Sequence, residues 1–318
     1  MKTKKTPLAQ PILATMGVIA LTASTLLPGT AAAAVLPQSG PITFTPITFQ
    51  LNNQSDPRFT QLLGINDHDL IAGYHGDENT EMTPNKGFTL TLPGSFTEED
   101  FPGSAQTQVI GINNSADTVG FYINGATTNG FFREEGKNFQ IVDLPGTTFN
   151  QLLGVNNKDQ AAGYFQDTAS PAPLQHAYIH EKNGDFRVLG NLPMPSSQAT
   201  GINDRGDVVG FLQQSTADTK SEGFLLKADG KLEVLNVPGS SFTQALGVSN
   251  DDDVVGQFTD ANGVTHGFLY KDDHFEQIDM QGASSTTING INNHDQIVGF
   301  FMDAGGNTVG LVGEKKSS

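Results

Sequence analysis

Short apolar runs alternate with polar turns along most of the chain, and the same succession returns six times. In each unit the first run ends in a phrase of the Gly-Ile-Asn type, as at residues 60–65, and a turn of Asn, Asp and Gly follows. Asn and Asp tolerate left-handed backbone angles and cap their own turns, so this pattern predicts a tight hairpin. The second run, as at residues 208–212, is the other strand of that hairpin.

The phrase at the hairpin is ten residues long and has glycine at both ends. Its copies occupy residues 64–73, 111–120, 154–163, 201–210, 247–256 and 290–299. The first glycines of successive copies are 43 to 47 residues apart. A period in the forties built of short strands is the signature of a propeller or a solenoid.

Each full unit contains two more predicted strands. The third opens with a small residue and an aromatic residue in five units, as at Gly87 and Phe88, and the fourth ends in a turn, as at Pro145 and Gly146. The sixth unit lacks a fourth strand, but the β-rich residues 42–51 precede the first phrase, where every later unit has one. We therefore predict an all-β fold, a six-bladed β-propeller of four-stranded blades, closed by this N-terminal strand. An open β-solenoid is the alternative.

The N-terminal residues 1–34 have the pattern of a secretory signal peptide. Lys2, Lys4 and Lys5 precede an apolar stretch, and a run of alanines ends at Ala34. The stretch is too short and too diluted by Thr and Ser to predict a membrane span. We expect cleavage after Ala33 or Ala34, and we expect residues 35–318 to form a single domain that is secreted or periplasmic.

The composition of the chain restricts the kinds of molecule that the protein is expected to bind. The chain has a net charge of −17, and removal of the three leader lysines leaves 14 basic against 34 acidic residues, a net charge of −20. Such a surface repels nucleic acid and anionic membranes and favours solubility. The chain has no cysteine, so we expect neither a disulfide framework nor a thiolate metal site. We expect a monomer.

The repeated phrase, written G-I-N-x-x-G-x-V-V-G, is followed by His-Ala-Phe-like triplets and later by a proline-glycine turn. The closest triplets are His176-Ala177-Tyr178 and His266-Gly267-Phe268, while the other four units lack the histidine. In these features the chain resembles the HAF-repeat family of bacterial proteins. That resemblance covers nearly all of the expected mature chain and implies an exported repeat protein, but it implies no particular reaction.

The usual catalytic phrases are absent from the sequence. It contains no G-x-S-x-G elbow, no H-E-x-x-H motif, no glycine-rich phosphate loop and no tryptophan. The Asn and Asp turns, such as residues 250–253, offer the oxygen ligands that calcium prefers, yet none follows the spaced pattern of a calcium loop. We therefore expect no cofactor and no metal site, with calcium left as an alternative.

A repeated polar position is the best candidate for a ligand-binding site. Three residues before the first glycine, five units have a glutamine and the sixth has a threonine. These residues are Gln61, Gln108, Gln151, Gln198, Gln244 and Thr287. The first strand of a propeller blade is innermost, so its start lines one mouth of the central channel, where side chains converge on a ligand. The alternative is that these side chains bond neighbouring strands or turns and repeat because the fold repeats.

Two further residues complete the predicted ligand-binding set. His75 begins the loop between the second and third strands of the first unit, and variable loops on a rigid scaffold usually carry specificity. Gln257 replaces the aromatic residue that follows the second glycine in the other five units. Gln257 therefore departs from the repeat, and His75 lies beside it in a variable loop.

We predict an exported binding or interaction scaffold that uses the channel mouth and the loops around it. Its partner would be a small molecule, a glycan or a protein. Two alternatives stay open, namely a propeller enzyme (hydrolase, lyase or cyclase) with its site at the same mouth, and a calcium-dependent surface protein. A compact cluster of His and carboxylate groups at the mouth would favour the enzyme, and a shallow polar rim would favour the binder.

Overall fold

The computed structural model describes residues 36–37, 42–49, 59–76, 84–167 and 173–315. Over these ranges the chain forms strands and no helix, so none of the described segments is a helix that could cross a membrane. The predicted signal peptide lies outside the described residues.

The strands follow one another in short hairpins. The first twelve are β1 (Ile42–Ile47), β2 (Phe59–Ile65), β3 (Leu70–Gly76), β4 (Lys86–Thr91), β5 (Ser95–Glu98), β6 (Gln106–Ile112), β7 (Thr118–Asn124), β8 (Thr127–Arg133), β9 (Gln140–Val142), β10 (Asn150–Val155), β11 (Ala161–Gln166) and β12 (Gln175–His180). The others are β13 (Phe186–Val188), β14 (Ser196–Ile202), β15 (Val208–Gln213), β16 (Glu222–Leu226), β17 (Leu232–Leu235), β18 (Phe242–Val248), β19 (Val254–Thr259), β20 (Thr265–Lys271), β21 (His274–Ile278), β22 (Ser285–Ile291), β23 (Ile297–Met302) and β24 (Thr308–Lys315).

Four sheets each contain four consecutive antiparallel strands, one sheet per repeat unit. Their strand orders are β6-β7-β8-β9, β10-β11-β12-β13, β14-β15-β16-β17 and β18-β19-β20-β21. The predicted four strands per unit are confirmed in these sheets. The repeated phrase forms the first hairpin of each sheet, as predicted from its Asn and Asp turn.

The first and last described strands meet in a fifth sheet, which has eight strands. Strands β2 to β5 pair in chain order, and so do β22 to β24, with β1 antiparallel to β24 from Ile42 opposite Lys315 onward. A single parallel bridge between Phe59 and Thr308 joins these two groups of four. The pairing of β1 with β24 confirms that the N-terminal segment supplies the strand that the sixth unit lacks.

The first strands of the six units lie side by side in a closed circle. Strand β2 contacts β6, the contacts continue through β10, β14 and β18 to β22, and β22 contacts β2. The first glycine of each phrase permits this approach. A Cβ on Gly154 would lie 2.8 Å from the Cα of Gly201, and a Cβ on Gly290 would lie 2.7 Å from the carbonyl oxygen of Leu63. Because these neighbours are backbone atoms, a side chain at these positions has no room.

Apolar side chains fill the space between neighbouring sheets. One cluster joins Ala162 and Ala177 of one sheet with Leu212 and Phe224 of the next. The aromatic residues after the second glycine, which the sequence assigns to the core, are buried. They are Tyr74, Phe121, Tyr164, Phe211 and Phe300. Full burial of a large apolar side chain contributes roughly 1.5–3 kcal/mol, so these layers are a main source of stability in a chain without disulfides.

Candidate functional site

Each hairpin turn of the phrase begins with a side chain that organises the turn backbone. In the first unit, Asn66 Oδ1 accepts hydrogen bonds from the amides of His68 and Leu70, at 2.9 and 3.0 Å. Equivalent bonds are made by Asn113, Asn156, Asn203, Asn292 and, through its hydroxyl oxygen, Ser249. This capping fixes the backbone of the turns at one end of the circle of first strands.

The second residue of each turn links that turn to the next unit. Its backbone amide donates to the side-chain Oδ1 of the equivalent residue one unit further along, at 2.7–2.9 Å. The bonds run from Asp67 to Asn114, then to Asn157, Asp204, Asn250 and Asn293, and from Asn293 back to Asp67. We call these six residues the axial ring. The cycle is closed, because the sixth unit donates to the first in the same way as any other pair.

A second set of bonds accompanies the axial ring. The side-chain amide of Asn66 donates to the carbonyl oxygen of Asn113 at 2.9 Å. Asn113, Asn156, Asn203 and Asn292 donate in the same way to the next unit. Ser249 has no side-chain amide, so its side chain cannot make this link between the fifth and sixth units. The fifth turn is therefore held to its successor by fewer side-chain bonds than the other turns.

The axial ring contains two carboxylates and four amides, and two amides separate each carboxylate from the next. Asp67 and Asp204 lie three units apart, and each accepts two side-chain amide hydrogen bonds on Oδ2. The donors are Asn114 and Asn293 to Asp67, and Asn157 and Asn250 to Asp204, at 2.8–2.9 Å. The ring thus combines six equivalent backbone bonds with a twofold arrangement of charge.

The electrostatics of the ring favour an ionised carboxylate at Asp67. Its partial burial alone would raise the pKa, but hydrogen bonds from Asn114 and Asn293 outweigh that effect and hold the pKa of Asp67 below its ordinary value. Hydrogen bonds donated to a carboxylate stabilise its charged form. The axial ring therefore carries negative charge at Asp67.

The axial ring surrounds a cavity of about 70 Å³. Its wall also includes the capping residues of the turns and the last apolar residues of the first strands, such as Ile65 and Val155. No Lys, Arg or His side chain is among the residues that line it. About 10–15 Å³ accommodates one water molecule, so this cavity admits the tip of a ligand and not a whole drug-sized molecule.

The predicted glutamine ring lies within the sheets and not on an open surface. Gln61, Gln108, Gln151, Gln198, Gln244 and Thr287 are all buried. The hydroxyl of Tyr164 donates to Gln151 Oε1 at 2.7 Å, and Tyr74 donates to Gln61 in the same way. The Nε2 groups of Gln108 and Gln151 have no hydrogen-bond partner among the described residues. No finding tests whether these side chains bind a ligand, and that role stays a prediction.

The other two predicted site residues are also enclosed. His75 is 8% exposed, and its ring stacks on Phe49 with the ring centroids 3.5 Å apart. Gln257 is fully buried, donates to Gln244 Oε1 at 2.9 Å and accepts a hydrogen bond from Thr287 Oγ1 at 2.9 Å. The structure thus places His75 on β3 and Gln257 on β19, each packed inside the protein, and a ligand contact by either one stays a prediction.

A histidine with two carboxylates lies away from the axis, on the third strand of its sheet. His266 Nδ1 is 3.0 Å from both carboxylate oxygens of Asp279, and its Nε2 is 3.6 Å from Asp260 Oδ2. The side chain of Gln277 donates to Asp279 Oδ2 at 2.6 Å. The hydrogen bond with Asp279 raises the pKa of His266, although burial opposes the shift. His266 is recognisable in the sequence only through its triplet, because Asp260 comes from the loop before β20 and Asp279 from the loop after β21.

The turn carboxylates and amides are engaged with one another and with turn backbone. Over the ranges that the structure covers, no group of three or more His, Asp or Glu side chains could hold a metal ion. Calcium dependence stays a prediction.

The comparisons with known proteins identify a fold but no family. No protein-family model matches the chain, and no curated protein matches it in sequence. Many solved structures share its fold. A triple arginine-to-alanine mutant of AofleA from Arthrobotrys oligospora has a TM-score of 0.54 and 10% identity, over 85% of this chain and 86% of that chain.

Two other solved structures are less similar in shape. The Aleuria aurantia lectin, solved with Fucα1-6GlcNAc, has a TM-score of 0.48 and 12% identity, over 80% of this chain and 92% of its own. An acylaminoacyl peptidase from Pyrococcus horikoshii has a TM-score of 0.46 and 13% identity over 78% of this chain. The chain spans only 44% of the length of that peptidase. The likeness to AofleA, together with the antiparallel four-stranded sheets whose first strands lie in a circle, indicates an all-β fold of the β-propeller class.

Proposed function

We propose that this chain is an exported, six-bladed β-propeller that binds the polar tip of a ligand at the axial ring. The six-bladed form is supported by the single bridge within the eight-stranded sheet. Isolated bridges also join Thr128 to Phe149 and Ser221 to Phe242 across neighbouring sheets, so one bridge marks a contact between blades. The eight strands then count as two blades, with β1 as the outer strand of the last. Export and membership of the HAF-repeat family rest on the leader pattern and the repeated phrase.

One observation carries the proposed site, namely the closed axial ring around a cavity of about 70 Å³. Every ring residue is fixed by a hydrogen bond from its neighbour, so binding there requires little reordering of side chains. Ligand sites are usually concave, largely preformed and equipped with a few convergent polar groups. The ring therefore replaces the buried glutamines as the site that we favour.

The chemistry of the wall selects the kind of group that would enter. The carboxylates of Asp67 and Asp204 and the turn carbonyls accept hydrogen bonds, and the lining residues include no cation. A group that donates hydrogen bonds, such as a hydroxyl or an ammonium, complements this wall. The rest of the ligand would lie outside, over the exposed turn residues His68, Lys158 and His294.

A thermal-shift screen tests the proposal, because any ligand of the folded state raises the melting temperature by mass action. The probes are polyols, monosaccharides and alkylammonium compounds. We expect a shift that is lost in Asp67→Asn and Asp204→Asn and kept in Asp229→Asn, which changes an exposed turn aspartate. A shift that survives both ring variants, or one that is lost in Gln61→Ala instead, would show that the ligand binds elsewhere.

The enzyme alternative receives no comparable support. It requires a compact cluster of His and carboxylate groups at the channel mouth. The described cluster around His266 lies on β20, the third strand of its sheet, and not at the axis. Binding without catalysis is therefore the function that we propose.

A further inference from the structure

The outer edge of β21 carries a segment from the far N-terminal part of the chain. The backbone amide of Gln277 on β21 donates to the carbonyl oxygen of Pro37 at 2.9 Å. Strand β21 is the last strand of its sheet, so this bond uses an edge amide that the sheet itself leaves without a strand partner. A peptide that adds its backbone to a sheet edge binds in the β-augmentation mode.

The side chain next to that bond is anchored between two sheets. Leu36 is 8% exposed and belongs to an apolar cluster with Leu235 and Val237, which lie at the end of one sheet, and Phe268 of the next. Phe275 on β21 packs against the same cluster. Pro37, one residue further, is exposed. The segment therefore combines one apolar anchor with one backbone bond.

The same two sheets are tied together beside the anchor. The hydroxyl of Tyr270 on β20 donates to Glu233 on β17. From Pro37 the chain continues to β1, which completes the sheet of β22 to β24. Leu36, Pro37 and β1 thus contact three consecutive sheets from the outside.

We propose that the outer edge of β21 is a docking site for an extended peptide in which an apolar residue precedes a proline. The apolar residue packs on Leu235, Val237, Phe268 and Phe275, and we call this contact surface the groove. Its occupant is the N-terminal segment of this same chain, which acts as a latch on the closure made by β1. When Leu36 leaves the groove, the edge of β21 becomes free and β1 loses its support on the N-terminal side.

The absence of cysteine makes a direct test possible, because any introduced thiol is the only one in the chain. Single variants Leu36→Cys and Pro37→Cys are treated with a maleimide under native conditions and, as a control for intrinsic reactivity, in denaturant. We expect the native protein to label Cys at position 36 more slowly than at position 37 by about tenfold or more, which corresponds to an opening free energy of about 1.4 kcal/mol. Equal native rates would overturn the proposal.

Hydrogen exchange reports the consequence for the sheets. In Leu36→Asp the amide of Gln277 and the amides of β1 should exchange faster than in the parent. Ile141→Asp is the matched control, because Ile141 is a 60% exposed apolar residue on the outer strand β9 of another sheet. Unchanged exchange at Gln277 and β1 would refute the latch. If Leu36→Asp does not fold, the labelling experiment decides alone.

A peptide of residues 34–39, AVLPQS, tests whether the groove accepts a separate segment. A short tether gives its own segment an effective concentration of the order of millimolar, so the parent should not bind the free peptide. The Leu36→Asp protein should bind it, and the same peptide with Asp in place of Leu should not bind. Failure of the Leu36→Asp protein to bind AVLPQS would show that the groove is not a docking site.

Discussion

Thr287 donates its hydroxyl hydrogen bond to Gln257 Oε1 at 2.9 Å, across two neighbouring sheets. Both residues depart from the repeat, since Thr287 stands where the other units have glutamine and Gln257 where they have an aromatic residue. Gln257 also donates to Gln244, the glutamine opposite it on the first strand of its own sheet. The two exceptions therefore belong together. A buried amide replaces an aromatic ring at Gln257, and the adjacent unit supplies the hydroxyl of Thr287 as its hydrogen-bond partner.

A double-mutant cycle should reveal this coupling. Gln257→Leu leaves buried groups on Gln244 and Thr287 without a partner, and each such group costs about 1–3 kcal/mol. Thr287→Val removes one partner only. We expect the two losses in unfolding free energy to be non-additive by about 0.5–3 kcal/mol in urea denaturation. Strict additivity would mean that the pair does not stabilise the fold as a unit.

The first glycine of each repeated phrase, where neighbouring first strands approach each other, should not tolerate a side chain. Gly154→Ala places a Cβ 2.8 Å from the Cα of Gly201 and 3.0 Å from the carbonyl oxygen of Thr200, and neither backbone atom can move without shifting a strand. We expect a loss of about 3 kcal/mol or more, or failure to fold. Gly190→Ala is the control, because an added Cβ there meets no atom within 4 Å. The argument fails if both variants unfold at the same denaturant concentration.

The carboxylates of the axial ring should matter for closure as well as for binding. In Asp67→Asn an amide replaces an oxygen that accepts bonds from Asn114 and Asn293, so donors face donors. We expect a loss of about 1–3 kcal/mol, and a similar loss in Asp204→Asn because its surroundings are equivalent. Asp229→Asn should leave the unfolding free energy unchanged. A neutral Asp67→Asn would contradict the importance of these bonds.

Acid should weaken the same bonds. The pKa of Asp67 is lower in the folded chain than its ordinary value, which is about 4. Its stabilising contribution is therefore complete above about pH 4 and is lost as the pH falls through the folded-state pKa. The melting temperature of the parent should fall more steeply below about pH 4 than that of Asp67→Asn. Parallel curves for the two proteins would contradict this assignment.

His266 should have the opposite pH dependence. Asp279 and Asp260 face it and raise its pKa, while Gln277 and Phe258 complete its surroundings. A group with a raised folded-state pKa contributes fully below its unfolded pKa, about 6.5, and the contribution is lost as the pH rises through the folded pKa. NMR titration should give a pKa for His266 above 6.5 in the parent, closer to 6.5 in Asp279→Asn. An unshifted parent value would refute the role of Asp279.

The sequence is sufficient to predict the strands, the hairpins and the addition of β1 to the sheet of the sixth unit. Period, turn residues and the missing fourth strand of the sixth unit are local signals, and antiparallel hairpins follow from them directly. The Asn and Asp residues of the turns are also understandable from turn chemistry alone, as the bonds of Asn66 to its own turn show.

The axial ring and the environment of the glutamines could not be predicted in the same way. The bonds of Asp67 and Asn114 join residues 47 positions apart, and they depend on the rotation between sheets, which no local pattern specifies. The alternation of side chains along a strand does not show which way the Gln61 side chain points. Each first strand has a β-bulge before its glycine, between Leu62 and Gly64 in the first unit. A bulge adds a residue and changes which side chains share a face of the strand. Counting residues therefore cannot show whether a side chain faces the channel or the interior of the sheet packing.

The pairing of Ile42 with Lys315 has a consequence for connectivity. The two residues lie opposite each other at the ends of neighbouring antiparallel strands, which is the geometry that a tight hairpin turn joins. A short linker between them, with a new pair of termini opened at the exposed turn of Asp229 and Gly230, would remove the contacts of Leu36 and Pro37 but leave every strand pair of every sheet in place. The order of the units along the chain can therefore change while their neighbours in the structure stay the same. The molecule should tolerate circular permutation.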